Sequence, residues 1–196
     1  LVLTLYFSVV LFVVLILGTA CFFMRLNPFQ VLRVIKEPLL IAITTCSSEA
    51  ALPLLMEKLE KFGIPKHIVS FVLPTGYSFN LDGAALYKCM ALMFIAQMYN
   101  IPMDIQTQLS MILFMVIVQK GSAGVPGMAF IGLSAGVVAF NLPMEGLFMI
   151  MGVDRILEMG RTGTNLAGNA IATFIVARWE KELPDEVIQA GYQKDY

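Results

Sequence analysis

Apolar and polar positions alternate along the chain in long blocks, and each apolar block predicts a helix. Residues 1–24 (LVLTLYFSVVLFVVLILGTACFFM) contain no charged side chain. A helix that crosses a bilayer needs about 20 consecutive apolar residues. The block lacks the basic flank and the small-residue cleavage site of a signal peptide. It therefore predicts a transmembrane helix, and it suggests a chain that starts inside a larger membrane protein.

Two later blocks consist of paired short arms around a polar tip. Residues 38–62 place two apolar arms around Ser47-Ser48-Glu49, and residues 105–140 place two arms around the glycine-rich tip GSAGVPG at 121–127. Each arm is several residues short of a full membrane span. Both blocks therefore predict re-entrant helical hairpins.

A longer apolar segment follows each hairpin. Residues 67–99 are long enough to span but are interrupted at NLDG, residues 80–83. The final segment, from about 143 to 179, carries the polar stretch DRILEMGRTGTNLAGN. We expect the polar tail that follows to be solvated.

The distribution of lysine and arginine predicts how these segments are oriented. Loops 25–37 and 57–67, which flank the first hairpin, are basic, whereas loops 100–104 and 141–146, which flank the second, contain neither residue. Basic loops favour the cytoplasm. We therefore expect the first hairpin to enter from the cytoplasm and the second from outside, with the C-terminus cytoplasmic.

The predicted fold is an all-α polytopic membrane protein, an inverted repeat of a re-entrant helical hairpin plus an interrupted transmembrane helix. Its parts are a helix and connector (1–37), the first repeat (38–100), the second repeat (101–182) and a cytoplasmic tail (183–196). Interrupted helices in inverted repeats mark the binding sites of transporters. Non-helical backbone at membrane depth occurs where it is buried in protein or lines a cavity.

Composition narrows the classes of function. Only 14% of residues are charged, against about 25% in an ordinary soluble domain. The net charge of −1 gives no general attraction to nucleic acid. Cys21, Cys46 and Cys89 lie in or beside apolar runs without metal-like spacing, so we interpret them as small buried hydrophobes.

Candidates for catalysis are weak, and an enzyme is not expected. The hydroxyls of Ser47 and Ser48 would need a base, and the one histidine, His67, is in a loop beyond the hairpin. A membrane aspartyl protease needs paired aspartates in matching motifs, which Asp82 and Asp154 do not provide.

The polar stretch forms one stripe on a helix. Asp154, Glu158, Arg161, Asn165 and Asn169 are spaced 4, 3, 4 and 4 apart, which covers about 22 Å of helix. The stripe has two interpretations. It is either a structural network in which Glu158 and Arg161 neutralise each other, or a ligand site. In a ligand site, Arg161 would bind a carboxylate of the ligand through two hydrogen bonds. Glu158 would bind an ammonium group, and Asn165 would form a hydrogen bond with either end of the ligand.

The two irregular motifs, NLDG and GSAGVPG, also allow more than one interpretation. NLDG offers a carboxylate, an amide and freed backbone carbonyls, which suit a small cation or a proton, but it is also compatible with an ordinary helix kink. GSAGVPG lacks the lysine and hydroxyl pattern of a phosphate loop. Its three glycines and one proline suit a mobile gate.

Four motifs together resemble a known family. SSEAALP (47–53), NLDGAALY (80–87), GSAGVPG (121–127) and DRILEMGRTGTN (154–165) strongly resemble the dicarboxylate/amino acid:cation symporters, the glutamate transporter family. The resemblance covers essentially all 196 residues. It implies the C-terminal half of a longer transporter without its N-terminal scaffold. It also implies a homotrimer in which each transport domain moves like an elevator.

The resemblance also implies roles for individual residues. Three groups follow: substrate binding by Ser48, Ser122, Val125, Glu158, Arg161, Thr162 and Asn165; cation coupling by Asn80, Asp82, Asp154 and Asn169; and gating by Gly121, Gly124, Pro126 and Gly127.

Departures from the family pattern favour proton over sodium coupling. Asn169 stands where sodium-driven relatives have a ligating aspartate, and a neutral amide compensates the desolvation of sodium less well. Lys120 lies where those relatives offer backbone oxygens to sodium, although its side chain can also snorkel away. Lys88 replaces a proton-linked acid of some relatives, and Ala84 replaces a threonine hydroxyl. The remaining proton candidates are Glu49, Asp154 and Glu158.

The predicted function is a proton-coupled symporter for L-glutamate and L-aspartate in a bacterial inner membrane, with sodium coupling as the lesser possibility. It needs no cofactor, and its partners are the substrate, the lipid bilayer and the other subunits of the homotrimer. The nearest alternative is a C4-dicarboxylate symporter. Because succinate has no amine, Glu158 disfavours it unless the carboxyl is protonated. A channel or a non-transporting subunit is the remaining alternative.

Overall fold

The computed structural model describes residues 1–79, 81–121 and 128–194, except for the side chains of residues 121, 128 and 129. Every regular element in these ranges is helical. The α-helices are α1 (Val2–Phe12), α2 (Gly18–Phe23), α3 (Pro28–Thr45), α4 (Ser48–Phe62), α5 (Lys66–Phe79), α6 (Asp82–Met98), α7 (Ile105–Val118), α8 (Met128–Ala139), α9 (Glu145–Met151), α10 (Asp154–Trp179) and α11 (Asp185–Tyr192).

The first apolar block forms one continuous rod. A π-helical turn, Val13–Leu17, joins α1 to α2 without a break. Most of the rod's apolar side chains are exposed, including Leu3 and Phe22. Residues 2–23 and the stretch 66–98 are long and apolar enough to cross a membrane. An exposed apolar surface of this length is typical of contact with lipid or with another protein segment.

Helix α3 includes the basic connector as well as the first arm. Asn27 caps it by accepting hydrogen bonds from the backbone N–H groups of Phe29 and Gln30, and Pro28 occupies its first turn. The helix then runs through Pro38, so the predicted boundary between residues 37 and 38 lies inside it. It ends at Cys46, whose left-handed backbone (φ 55°, ψ 32°) turns the chain towards α4.

The hairpin tip is fixed by a second cap. The Ser47 hydroxyl accepts a hydrogen bond from the backbone N–H of Ala50 at 3.3 Å, which starts α4. At the far end of α4, Gly63 has φ +127°, a conformation that glycine adopts without strain.

The interruption predicted in the next segment is observed. Helix α5 ends at Phe79, α6 begins at Asp82, and Leu81 between them has non-helical angles (φ −112°, ψ 59°). Asn80 lies outside the described residues. The interruption leaves the last carbonyls of α5 and the first N–H groups of α6 without intrahelical partners.

The final segment contains a second interruption that the sequence did not indicate. Gly152 and Val153 separate the short α9 from α10, so the polar stripe begins at a helix N-terminus. The position suits Asp154, because a carboxylate in the first turn is stabilised by the helix dipole. Helix α10 is buried along much of its length and packs against α1, α3, α4, α5 and α6. It is the central helix of the described fold.

The expectation of a solvated tail holds for most of its residues, which are exposed, but one face of the tail is docked on the protein. Residues 185–192 form α11, and Leu183 and Ile188 are buried against the rest of the protein. The ring of Tyr192 contacts that of Phe62 with centroids 5.5 Å apart, and Asp185 forms an ion pair with Arg178. The tail is polar on average, but its apolar residues share one helical face, which is sufficient to dock that face on the protein.

Candidate functional site

The predicted polar stripe lies on α10 and faces the protein interior. Glu158, Arg161, Asn165 and Asn169 are all buried, and Asp154 is half-buried. Thr162 is also buried on this helix. Burial of so many polar side chains is costly unless each has a partner, so their contacts show what the site can do.

Glu158 and Arg161 form a buried ion pair through Nη2 of the arginine. The other terminal nitrogen, Nη1, is also buried and has no hydrogen-bond partner among the described residues. A buried donor without an acceptor costs about 1–3 kcal/mol, and more in a charged group. Within the described ranges, the structural network considered from the sequence is therefore present but leaves one donor of Arg161 unused. The remaining donor of Arg161 suits a carboxylate brought by a ligand.

Tyr87 joins two members of the stripe. The Arg161 guanidinium lies 5.1 Å from the centroid of the Tyr87 ring, a distance at which cation–π attraction operates. The Tyr87 hydroxyl donates a 2.7 Å hydrogen bond to Asp154. Tyr87 was not among the site residues predicted from the sequence. The sequence signal for Tyr87 was its place in the NLDGAALY motif. It lies one helical turn after Gly83, and it is therefore on the same face of α6.

Gly83 brings the start of α6 into direct contact with α10. Its backbone N–H donates a 2.8 Å hydrogen bond to the side-chain oxygen of Asn165. A Cβ atom at Gly83 would lie 2.4 Å from the backbone oxygen of Arg161. Asn165, predicted to contact substrate, thus also fixes the helix interruption against the stripe.

Lys120 reaches the interruption from the second predicted hairpin. Its ammonium donates a hydrogen bond to the backbone oxygen of Phe79, the last residue of α5, and its charge acts on the half-buried carboxylate of Asp82. Lys120 therefore places a cation at the C-terminal end of a helix, where the dipole favours one. The ammonium is directed towards the interruption.

Ser48 and Asn169 share the wall of one small cavity with Tyr77 and Leu166. Its volume of about 10 Å³ is roughly that needed for a single water. The side-chain oxygen of Asn169 lies against Gly76 of α5, 2.5 Å from where a Cβ atom would be. The structure thus brings together a predicted substrate residue and a predicted coupling residue.

Lys88 is fully buried on α6. Its ammonium nitrogen lies against α8, 2.7 Å from where a Cβ of Gly132 would be. Ala84, one turn earlier, is also buried.

Several predicted positions fall outside the described residues, and their roles stay predictions. These are Asn80, Ser122, Gly124, Val125, Pro126 and Gly127. Gly121 is the last residue of a 3₁₀ turn, Gln119–Gly121, that continues α7.

Apolar helices with exposed apolar faces surround a buried ionic stripe beside a helix interruption. This combination is compatible with a helical membrane protein that has an internal polar site, because ionisable side chains at membrane depth usually face a protein interior. The same conclusion follows from comparison with known sequences. The chain belongs to the sodium:dicarboxylate symporter family, which matches residues 1–179. The resemblance inferred from the four motifs is confirmed.

Two kinds of curated relative match at similar levels. A proton/sodium-glutamate symport protein of Geobacillus stearothermophilus is 46% identical over 186 residues, which are 95% of this chain and 44% of the relative. A C4-dicarboxylate transport protein of Yersinia pestis is 47% identical over 191 residues, 97% of this chain and 44% of the relative. The chain therefore spans less than half the length of these relatives.

Proposed function

We propose that this chain forms the substrate-binding half of a proton-coupled symporter for L-glutamate and L-aspartate. The observation that carries the proposal is the guanidinium of Arg161, which is buried and bound to Glu158 through one nitrogen while the other has no partner among the described residues. Planar, bidentate recognition of a carboxylate is the task for which arginine is best suited.

The charges of the ion pair are complementary to those of an amino acid. A carboxylate of the ligand would bind Arg161, and the ligand's amine would bind the Glu158 carboxylate. Each protein charge would then exchange one buried partner for another, so neither is left unpaired. Leaving one partner of a buried pair uncompensated costs about 3–5 kcal/mol, so the site favours a ligand that carries both charges.

Two features support a proton rather than sodium as the coupled ion. Asn169 provides an amide where a carboxylate would be needed to compensate the desolvation of sodium. At the helix interruption, the carbonyl oxygen of Phe79 is already bound by the ammonium of Lys120. The side chain of Asn169 and the carbonyl end of α5 are thus both less favourable for binding a free monovalent cation.

The proposal includes the arrangement in the membrane. The two pairs α3–α4 and α7–α8 are re-entrant hairpins of an inverted repeat, and the glycine-rich segment between α7 and α8 is the gate. Support comes from the short arms of the second pair, 14 and 12 residues, and from the distribution of basic loops. We further propose a homotrimer with elevator motion in a bacterial inner membrane, with a cytoplasmic C-terminus.

Transport of C4-dicarboxylates is the second candidate, because a relative with that name matches this chain as well as the glutamate symport protein does. Glu158 distinguishes the two. Succinate offers no amine, so an ionised Glu158 would repel its carboxylates. A channel or a non-transporting subunit is the third possibility, and it predicts no accumulation against a gradient.

The test is uptake of radiolabelled L-aspartate, L-glutamate and succinate by the full-length protein in proteoliposomes, under an imposed pH gradient or sodium gradient. We expect amino-acid uptake driven by the pH gradient alone. Glu158→Gln should reduce amino-acid uptake more than tenfold and favour succinate, whereas Glu57→Gln, an exposed control on α4, should change neither. Succinate uptake without amino-acid uptake would overturn the substrate assignment, and a strict sodium requirement would overturn the proton assignment.

A further inference from the structure

Arg155 is a charged residue of α10 for which the proposed function has no role. It follows Asp154 directly, so it points about 100° away from the polar stripe around the helix, and it is exposed. Its guanidinium extends to α3, where Nη2 donates a 3.2 Å hydrogen bond to the backbone oxygen of Thr44. A side chain of α10 thus binds the end of the first arm of the predicted hairpin.

The bond lies at the C-terminal end of α3, which ends at Thr45. The last four carbonyl groups of an α-helix have no N–H partner within the helix, and they form the negative end of its dipole. A cation is therefore favoured there, and Arg155 provides one from another helix. Lys120 has the same relation to the end of α5, where its ammonium binds the carbonyl of Phe79.

Two further contacts hold the α3–α4 turn (Cys46 and Ser47) and the end of α3 close to α10. The thiol of Cys46 lies 4.0 Å from the backbone oxygen of Arg155, within reach of a weak S–H···O hydrogen bond. A Cβ atom at Gly163 would lie 2.9 Å from Cγ1 of Ile43, so the end of α3 approaches α10 more closely than a side chain at position 163 would allow. Arg155 and Gly163 are about two helical turns apart. The end of α3 therefore contacts α10 at two separate heights.

The α3–α4 turn leads directly to Ser48, the first residue of α4 and a predicted substrate contact. Ser48 also lines the small cavity that it shares with Asn169 of α10. The position of Ser48 relative to the polar stripe therefore depends on where the turn lies, and the contacts to α10 determine that.

We infer that Arg155 is a positioning residue, which holds the α3–α4 turn against α10 through the Thr44 carbonyl and so keeps Ser48 at the substrate site. The part that concerns Ser48 rests on the proposed function, whereas the contact between the turn and α10 does not. The competing explanation is that Arg155 only adds to the stability of the fold. Its loss would then lower the melting temperature without changing the position of the turn or the affinity of the folded protein.

Cys46 provides a reporter for the turn, because its side chain is buried while the turn lies against α10. In the full-length protein, every other cysteine, including Cys21 and Cys89, is replaced with alanine. The rate at which N-ethylmaleimide labels Cys46 is then measured in nanodiscs. Arg155→Gln removes the cation, and we expect it to be labelled several-fold faster than the protein with Arg155. Arg155→Lys retains a cation, and a single bond to a carbonyl does not require the planar guanidinium, so its labelling should stay slow.

Binding of radiolabelled L-aspartate to the same variants tests the consequence for the site. We expect the affinity to fall about 2- to 13-fold in Arg155→Gln, which corresponds to one typical hydrogen bond, and Arg155→Lys to retain most of it. Saturating aspartate should also slow the labelling of Arg155→Gln, because linkage makes the effects of the turn and of the ligand reciprocal.

A matched control and the contrary results complete the test. Lys36→Gln removes a cation from an exposed position on α3 and should change neither labelling nor affinity. Equal labelling with and without Arg155 would overturn the inference, as would a lower melting temperature with unchanged affinity, or a lysine variant as impaired as the glutamine variant. If the unaltered protein binds none of aspartate, glutamate and succinate, the proposed function fails, and the labelling rates still decide whether Arg155 holds the turn.

Discussion

Replacing Gly83 with alanine tests whether the contact between α6 and α10 holds the site together. The added Cβ would lie 2.4 Å from the backbone oxygen of Arg161 and 2.8 Å from its Cα atom. Both are backbone atoms, so no side-chain rotation can relieve the overlap. The two helices must move apart, and the 2.8 Å hydrogen bond from Gly83 N–H to Asn165 must lengthen.

The size of the effect follows from these two terms. Overpacking in a closely packed interior costs about 1–3 kcal/mol. Loss of a buried hydrogen bond that leaves a polar atom unpaired costs about 1–3 kcal/mol. Together they reduce the free energy of unfolding by about 2–6 kcal/mol. For a chain of this size, that corresponds to a melting temperature lower by roughly 4–24 °C.

The assay is thermal unfolding in detergent, followed by tryptophan fluorescence and circular dichroism, together with binding of radiolabelled aspartate. Gly152→Ala is the matched control, since a Cβ there meets only the backbone oxygen of Met149 at 3.8 Å and its backbone is helical. The control should stay within about 1 kcal/mol of the unaltered protein. If Gly83→Ala were as stable as Gly152→Ala and bound aspartate normally, the close approach of α6 to α10 would not matter for the site.

Two further predictions concern single lysines. Lys120→Gln removes the ammonium from the Phe79 carbonyl, so the end of α5 becomes open to a free cation, and we expect initial uptake to become several-fold higher in sodium chloride than in choline chloride. Lys58→Met removes the ammonium that pairs with Glu37 at 2.6 Å. That hydrogen bond holds the pKa of Glu37 below its usual value, so we expect the pKa to rise in the variant, measured by carbon-13 NMR titration.

For each of the two lysine variants, one result would contradict the prediction. Equal uptake in the two salts would show that the ammonium of Lys120 does not occupy a cation position. For the Glu37 pair, a depressed pKa means that the ion pair stabilises the fold above the pKa of the unfolded chain and is lost as pH falls through the folded-state value. Lys58→Met should therefore weaken the acid dependence of stability. An unchanged pKa would show that the neighbouring Lys36 and Lys61 are sufficient to depress it.

The parts of the fold that the sequence could predict are those with strong periodic or compositional signals. The interruption at NLDG is observed between α5 and α6, because asparagine, aspartate and glycine together disfavour a continuous apolar helix. The interior position of the stripe is also confirmed. A spacing of three and four residues places its members on one face, and an apolar surrounding leaves only the interior for them.

Other features had no local signal. The interruption at Gly152 and Val153 occurs inside an apolar run, where glycine is tolerated in a helix and tertiary packing decides. Docking of α11 depends on its apolar side chains meeting Phe62 from a distant helix. One terminal nitrogen of Arg161 has no hydrogen-bond partner in the part of the chain that the structure describes. The sequence could not indicate this, because the spacing predicts a partner for one nitrogen only.

The position of Tyr87 means that Arg161 and Asp154 are not energetically independent. Its ring contacts the guanidinium and its hydroxyl binds the carboxylate, so a ligand that draws Arg161 away alters the solvation and hydrogen bonding of Asp154. Linkage makes such an effect reciprocal: whatever factor ligand binding applies to the equilibrium of the Tyr87–Asp154 hydrogen bond, the breaking or forming of that bond applies to ligand affinity. A single tyrosine thus provides a physical link between a change at Arg161 and a change at Asp154.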